Sequence, residues 1–156
     1  MTVDGGRYDG FHVVQEFCSE RRIKDITMEK VTGIGGFFFR SNDPKKLAKW
    51  YEDHLGISLT PADYLQPSWV QDAGPTVFQP FPKDTKYFHG SRMLNLRVRN
   101  LNAIVAQLRT AGIAVEVDAK SYPNGKFATL HDPEENPIQL WEPAGRDAVT
   151  PPAASK

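Results

Sequence analysis

The side chains that most often carry out catalysis are few in this sequence, and their spacing matches no familiar catalytic set. The chain has four histidines and one cysteine. His54 falls in the last turn of a predicted helix, where a histidine more often interacts with the helix end than binds a metal. His131 begins the turn HDPEEN, and the lone Cys18 lacks the pattern that marks a nucleophile. His89 and Glu142 are therefore the remaining candidates for acid–base chemistry.

The first half of the chain predicts one helix between short strands. Asp43 can cap the helix, Pro44 suits its first turn and Gly56 can end it. Apolar residues recur between them at helical spacing: Leu47, Trp50, Tyr51 and Leu55. Alternation and turn residues predict strands in GGFFFRS before the helix and in ISLT, SWV and PTVFQPF after it.

The second half of the chain repeats this plan. Asn100 caps a second helix and Gly112 ends it, and strands are predicted in MLNLRVRN, IAVEV, GKFATLHD and NPIQLWEP. When Asp43 is aligned on Asn100, Gly36 pairs with Met93. Internal repetition of this kind indicates one supersecondary unit used twice. The fold class predicted is therefore α+β, with two tandem β-α-β-β-β units that together can bury an apolar sheet face.

Three segments, DPKKLAKWYEDHLGI, LNLRVRNLNAIVAQLRTAGIAV and HDPEENPIQLWEP, carry a resemblance to a known superfamily. They resemble the vicinal oxygen chelate proteins, which include glyoxalase I, extradiol dioxygenases and bleomycin-resistance proteins. The resemblance implies that the two units form a curled mixed sheet around a central cavity that holds the ligand and, in many members, a homodimer. It does not imply one activity, because this fold hosts many chemistries.

The resemblance also implies four positions at which metal-dependent members hold a divalent ion. In this sequence those positions are occupied by Gly36, Gln79, Met93 and Gln139. Divalent catalytic metals bind imidazole nitrogens and carboxylate oxygens, and none of these four residues supplies one. We therefore expect neither a metal site nor another cofactor in this protein.

Strand alternation predicts which side chains line the cavity instead. In the first strand of the second unit, Leu94 and Leu96 point to the helix, while alternate residues point into the cavity. Applied to both units, this alternation gives an apolar wall with a few polar groups, which is typical of a small-molecule site. The predicted ligand-binding residues are Phe38, Arg40, Trp69, Gln79, Phe81, Met93, Asn95, Arg97, Gln139 and Trp141. Structural roles are the alternative: the aromatics as plain core, and Arg97 as the ion-pair partner of Glu116 or Glu142.

Three functions are compatible with these residues. The first is a binding module that holds a small aromatic or acidic organic molecule without a metal. The second is a glyoxalase-like lyase, isomerase or dioxygenase that uses a metal held in an unfamiliar way or acid–base groups such as His89 or Glu142. The third is a protein-interaction role, which the segment before Met28 would support.

Composition excludes several other classes of protein. The chain has 19 basic and 19 acidic residues, so its charge favours neither nucleic acid nor a membrane surface as a partner. A single cysteine fits a reducing compartment, and the first residues lack the pattern of a signal peptide. We therefore expect a cytoplasmic protein with a small-molecule ligand and a second copy of itself as partners.

The predicted boundaries place one domain in residues 29–143, made of repeats 29–86 and 87–143. Residues 1–28 would form an amino-terminal arm, either with a short helix or disordered. The Pro/Ala-rich residues 144–156 would be a flexible tail.

Overall fold

The structure is a computed structural model, and it describes residues 29–63 and 65–148. The backbone divides into two units, residues 1–39 and residues 40–156. In the described part of the first unit, the rings of Phe37 and Phe39 lie 5.5 Å apart, and Phe38 is 94% exposed. The predicted arm and most of the predicted tail lie outside the described residues. All elements described below belong to the second unit.

Helix α1 (Pro44–Leu55) begins and ends where the sequence predicts. The Asp43 side chain accepts a hydrogen bond from the Lys46 backbone N–H (3.1 Å), which satisfies one of the free donors at the helix start. Gly56 ends the helix in the left-handed conformation (φ 67°), which glycine adopts without steric cost. Leu47 and Tyr51 form its buried face.

Strand β1 (Leu94–Arg97) and helix α2 (Leu101–Thr110) follow in the second repeat. The Asn100 side chain caps α2 by accepting from the Ala103 backbone N–H (2.9 Å). Gly112 lies just beyond the helix with φ 78°, so the predicted helix end is confirmed.

The sheet is completed by β2 (Glu116–Val117), β3 (Gly125–His131) and β4 (Pro137–Pro143). The strand order is β1-β4-β3-β2, with β1 and β4 parallel and the other neighbours antiparallel. This is a mixed sheet, curled but not closed, with two α-helices in the described residues, and it confirms the predicted α+β class.

The core lies between α2 and one face of the sheet. Leu101, Val105 and Leu108 of α2 are buried, as their helical spacing predicts. The sheet contributes a buried set of alternate residues from its two long strands: Ala128, Leu130, Ile138 and Leu140. Because side chains alternate along a strand, the residues between them face the opposite side of the sheet, where the predicted ligand site lies.

The first repeat differs from the prediction, since its four predicted segments form no strand in the described residues. A strand is stabilised by backbone hydrogen bonds to a neighbour, and the sheet contains second-repeat strands alone among the described residues. In PTVFQPF, Pro80 also lacks the N–H that a sheet ladder would need. Residue alternation was therefore not sufficient to predict these strands.

None of the helices in the described ranges is both long and apolar enough to span a bilayer.

Candidate functional site

Two neighbouring strands bring four of the predicted site residues onto one face of the sheet. The parallel register of β1 and β4 sets Asn95 beside Gln139 and Arg97 beside Trp141. The Asn95 side-chain amide donates to the Gln139 carbonyl oxygen over 2.7 Å. The sequence-based pairing of these positions on one face therefore agrees with the structure.

Gln139 is held from a second side by a residue that strand alternation could not reveal. Its amide nitrogen donates to the Tyr87 hydroxyl oxygen (2.8 Å), and its side chain is buried, with 7% exposure. Both ends of the Gln139 amide are thus occupied by protein groups, as expected for a buried polar side chain. The role of Gln139 in this structure is to fix the positions of Asn95 and Tyr87.

The ring of Tyr87, which accepts from Gln139, packs with two further aromatic rings. Phe81 and Tyr87 are stacked, with centroids 5.3 Å apart and planes inclined by 5°. Phe88 packs edge-on against both rings. Phe81 and Tyr87 remain 42% and 57% exposed, so a flat ligand could reach them.

A second run of rings lies on the same side of the sheet. Tyr122 packs edge-on against Phe127, which stacks on Trp141 with a centroid distance of 6.2 Å. The Tyr122 hydroxyl donates to the Asp118 carboxylate (2.9 Å), and this hydrogen bond raises the pKa of Tyr122. We call the two runs together the aromatic face: Phe81, Tyr87, Phe88, Tyr122, Phe127 and Trp141.

Trp141 has a structural role within the aromatic face. Its side chain is 2% exposed, and its indole N–H donates to the Asn124 carbonyl (2.8 Å). The alternative of a core aromatic therefore describes Trp141 better than direct ligand contact does. Its stacking on Phe127 supports the more accessible part of the face.

Arg97 binds a loop of the first repeat rather than either acid expected as its ion-pair partner. Its guanidinium donates to the Asp72 backbone carbonyl (2.8 Å), and Arg99 pairs with the Asp72 carboxylate (2.6 Å). The two arginines therefore hold this loop beside the end of β1.

The other predicted binding residues do not join this hydrogen-bonded group. Gln79 donates to the adjacent Pro80 carbonyl (2.8 Å), Trp69 is 39% exposed and Met93 is half-buried. Phe38 lies in the first unit, and Arg40 is exposed at the start of the second. Ligand contact by these five residues stays a prediction.

The two acid–base candidates lie in different surroundings. Glu142 accepts from the Leu101 backbone N–H (2.7 Å) at the start of α2 and pairs with Lys126 (3.6 Å). These contacts make Glu142 an anchor for the helix. His89 is exposed and lines a small pocket before β1.

The residues at the four implied metal positions do not fit a divalent ion. The Gln139 amide is already hydrogen-bonded to Asn95 and Tyr87, and the Gln79 amide donates to the Pro80 carbonyl. The side chains of Gly36 and Met93 offer no oxygen or imidazole ligand. Across the described ranges, histidine, cysteine and acidic side chains form no group of three that could hold a metal.

A comparison with known domain families identifies the family of this chain. The profile of the glyoxalase-like domain family matches residues 36–141. No curated protein shows a significant match to the chain.

Three solved structures illustrate the similarity. TnmS3, an antibiotic-binding protein from Streptomyces sp. CB03234, is 25% identical, with 75% of this chain and 100% of that chain covered and a TM-score of 0.52. A glyoxalase/bleomycin resistance protein from the same organism is 37% identical over 34% of this chain and 46% of that one, with a TM-score of 0.30. SMU.1112c is 20% identical over 72% of this chain and 100% of that one, with a TM-score of 0.50. Because the matched residues 36–141 make up more than half of the chain, this protein belongs to the family of proteins with a glyoxalase-like domain.

Proposed function

We propose that this protein binds a small organic molecule with a planar aromatic part, and that it does so without a metal. The ligand would lie on the aromatic face, against the exposed rings of Phe81 and Tyr87. This proposal makes the protein a binding module for sequestration or sensing rather than a glyoxalase-like enzyme.

One observation carries the proposal: two exposed rings are stacked in parallel, and one of them, Tyr87, is hydrogen-bonded to the buried Gln139. Exposed aromatic side chains would normally rotate freely, and ordering them on binding would cost free energy. Here the Tyr87 hydroxyl accepts a hydrogen bond from Gln139, which is itself held by Asn95. The stacking surface is therefore preorganised, and a flat ligand could extend the existing stack.

The comparison with TnmS3 supports the same proposal. That protein is an antibiotic-binding protein, and it shares 25% identity with 75% of this chain. The missing imidazole and carboxylate groups at the implied metal positions favour binding over metal-dependent catalysis.

The direct test is a binding screen with aromatic antibiotics and metabolites, followed by titration of any hit. We expect Tyr87→Ala to weaken binding about tenfold, or ~1.4 kcal/mol, because it removes a ring from the stack. Phe78→Ala is the matched control, since Phe78 is 86% exposed and lies outside the aromatic face. Equal losses in both variants, or no binder in the screen, would contradict the proposal.

Metal independence has its own measurement. Titration of the same ligand in excess chelator is expected to give an unchanged dissociation constant, because no residue at the implied positions would hold the ion. A stoichiometric metal in the freshly purified protein, removed by chelator together with binding, would overturn this part of the proposal and favour an enzyme.

A further inference from the structure

The loop between β2 and β3 ends in a tight turn that contains the one asparagine–glycine pair of the sequence, Asn124–Gly125. Asparagine is among the chemically labile residues, and a following glycine makes it more so because glycine has no Cβ to shield its backbone nitrogen. That nitrogen attacks the side-chain amide carbon of the asparagine, and ammonia leaves. Water then opens the cyclic imide to aspartate or isoaspartate. The pair is therefore a candidate site for covalent modification.

The attacking nitrogen is occupied while the turn is closed. The Gly125 N–H donates to the Tyr122 carbonyl (3.0 Å), and the Tyr122 N–H donates back to the Gly125 carbonyl (2.9 Å). Asn124 itself is exposed, so water can reach it. The Gly125 nitrogen must lose its proton before it attacks, however, and in the closed turn that proton is bonded to Tyr122. Deamidation of Asn124 therefore requires the turn to open first.

The end of β4 packs against the turn and keeps it closed. The Asn124 carbonyl accepts from the Trp141 indole N–H (2.8 Å) and from the Ala144 backbone N–H (3.0 Å). Gly125 is buried, and a Cβ at this position would collide with the Glu142 carbonyl oxygen. The peptide between Asn124 and Gly125 is therefore fixed at both ends, with no free space in which to rotate.

We propose that Asn124 is a site of spontaneous deamidation that is gated by the opening of this turn, and that isoaspartate there weakens the aromatic face. In isoaspartate the chain runs through the former side-chain carbonyl, and the former backbone carbonyl becomes a free carboxylate. The backbone is longer by one carbon, so the acceptor of the Trp141 indole N–H is displaced. Because Trp141 is buried, its unpaired donor is destabilising, and Phe127 loses a fixed ring to stack on.

The gate is tested by the rate of deamidation of the full chain at mildly alkaline pH, folded in buffer and unfolded in urea. Peptide mass spectrometry measures the conversion of Asn124 over time. We expect conversion at least about tenfold slower in the folded chain, because opening the turn breaks several hydrogen bonds at once. Equal rates in the two states would overturn the gate.

Two tryptophan variants test the contact with β4. Trp141→Phe removes the indole donor and keeps a ring, so we expect the folded chain to deamidate severalfold faster. Trp50→Phe is the matched control, since Trp50 packs on Tyr51 and His54 within α1, and we expect it to leave the rate unchanged. An unchanged rate in Trp141→Phe would refute the role of this bond. The comparison of folded and unfolded chain stands even where a variant fails to fold.

The effect on the aromatic face is measured on the ¹⁵N-labelled chain after the isoaspartate form has been separated. We expect its Trp141 indole N–H to exchange with solvent faster than in the unmodified chain. Asn124→Asp is the control, because it adds the same charge without lengthening the backbone and should keep the slow exchange. Equal exchange in the isoaspartate and unmodified forms would overturn this part of the proposal. No ligand is used, so the result is independent of the aromatic-ligand screen.

Discussion

At the scale of single residues, Asp132 is a carboxylate that lies buried in the described part of the chain. Its carboxylate is 2% exposed and accepts four hydrogen bonds, from the Tyr51 hydroxyl, the Asn136 side chain and the Glu134 and Asn136 backbones. A buried charge is tolerated when its oxygens are fully bonded in this way. Asp132 therefore joins helix α1 to the turn between β3 and β4.

Substitution of Tyr51 by phenylalanine removes one of these hydrogen-bond donors and keeps the aromatic ring. Burial, followed by the bond to Asp132, raises the pKa of Tyr51, so the phenol stays neutral and keeps donating its proton. We predict that Tyr51→Phe lowers the free energy of unfolding by about 1.5–3 kcal/mol, the range for a lost hydrogen bond to a charged group. Urea denaturation monitored by circular dichroism measures this change.

Tyr122→Phe is the control for that measurement. Its hydroxyl also donates to a carboxylate, that of Asp118 (2.9 Å), but at an exposed position. Because water can replace the lost bond there, we expect a much smaller effect. Similar losses in the two variants would show that burial of Asp132 does not strengthen its bond to Tyr51.

At the scale of elements, helices α1 and α2 each start beside a carboxylate that comes from a distant part of the chain. Glu134 accepts from the Ser41 hydroxyl and from the backbones of Asn42 and Asp43 just before α1. Glu142 accepts from the first backbone N–H of α2. Acidic groups at a helix start bind free donors and oppose the positive end of the helix dipole.

Glu134 should make the stability of the protein depend on pH in the acidic range. The pKa of Glu134 lies below its ordinary value because its carboxylate accepts three hydrogen bonds. The Asp43 backbone has the largest effect, followed by the Asn42 backbone and the Ser41 hydroxyl. Its contribution is therefore present above the ordinary glutamate pKa and is lost as pH falls through the lowered one. We predict that Glu134→Gln lowers the melting temperature at pH 7 and that the difference shrinks below about pH 4.

Glu135→Gln provides the comparison, since it alters the same charge one position along the turn. Glu135 is exposed and has no part in the contacts with α1 described above. Thermal melts of both variants between pH 3 and pH 7 would separate anchoring of α1 from a general effect of net charge. Parallel melting curves for the two variants would contradict the proposed anchor.

At the scale of the whole molecule, exposed apolar side chains indicate a surface that another protein chain would cover. In the described residues, several large ones in the first repeat are far more exposed than a monomer usually leaves them: Leu65, Val70, Val77 and Phe78. The strand order also leaves β1 at an edge of the sheet, where its free backbone groups could pair with another strand. We propose a homodimer that covers this surface.

Sedimentation equilibrium across a wide concentration range measures the assembly. We predict a mass about twice that of the 17.5 kDa chain, because burial of the exposed apolar side chains would stabilise association. A single species at the mass of one chain throughout the range would rule out the homodimer.

Much of the second repeat could be predicted from the sequence. Its helix boundaries depend on local chemistry, in Asn100 and Gly112, and its strands have the alternation that one buried face requires. The same alternation correctly set Asn95 and Gln139 on one face. It failed in the first repeat because strand formation also needs a neighbour, which residue alternation does not provide.

The sequence by itself determined the family, the two helices with their caps and the lack of metal-binding side chains at the implied positions, since all of these depend on residue type and short spacing. Tertiary structure alone decided the contacts between distant segments. Tyr87 reaches Gln139, Tyr51 reaches Asp132 and Glu134 reaches the start of α1 across long stretches of chain. Loop residues such as Tyr87 follow no period, so their partners are set by how the loops pack on the sheet.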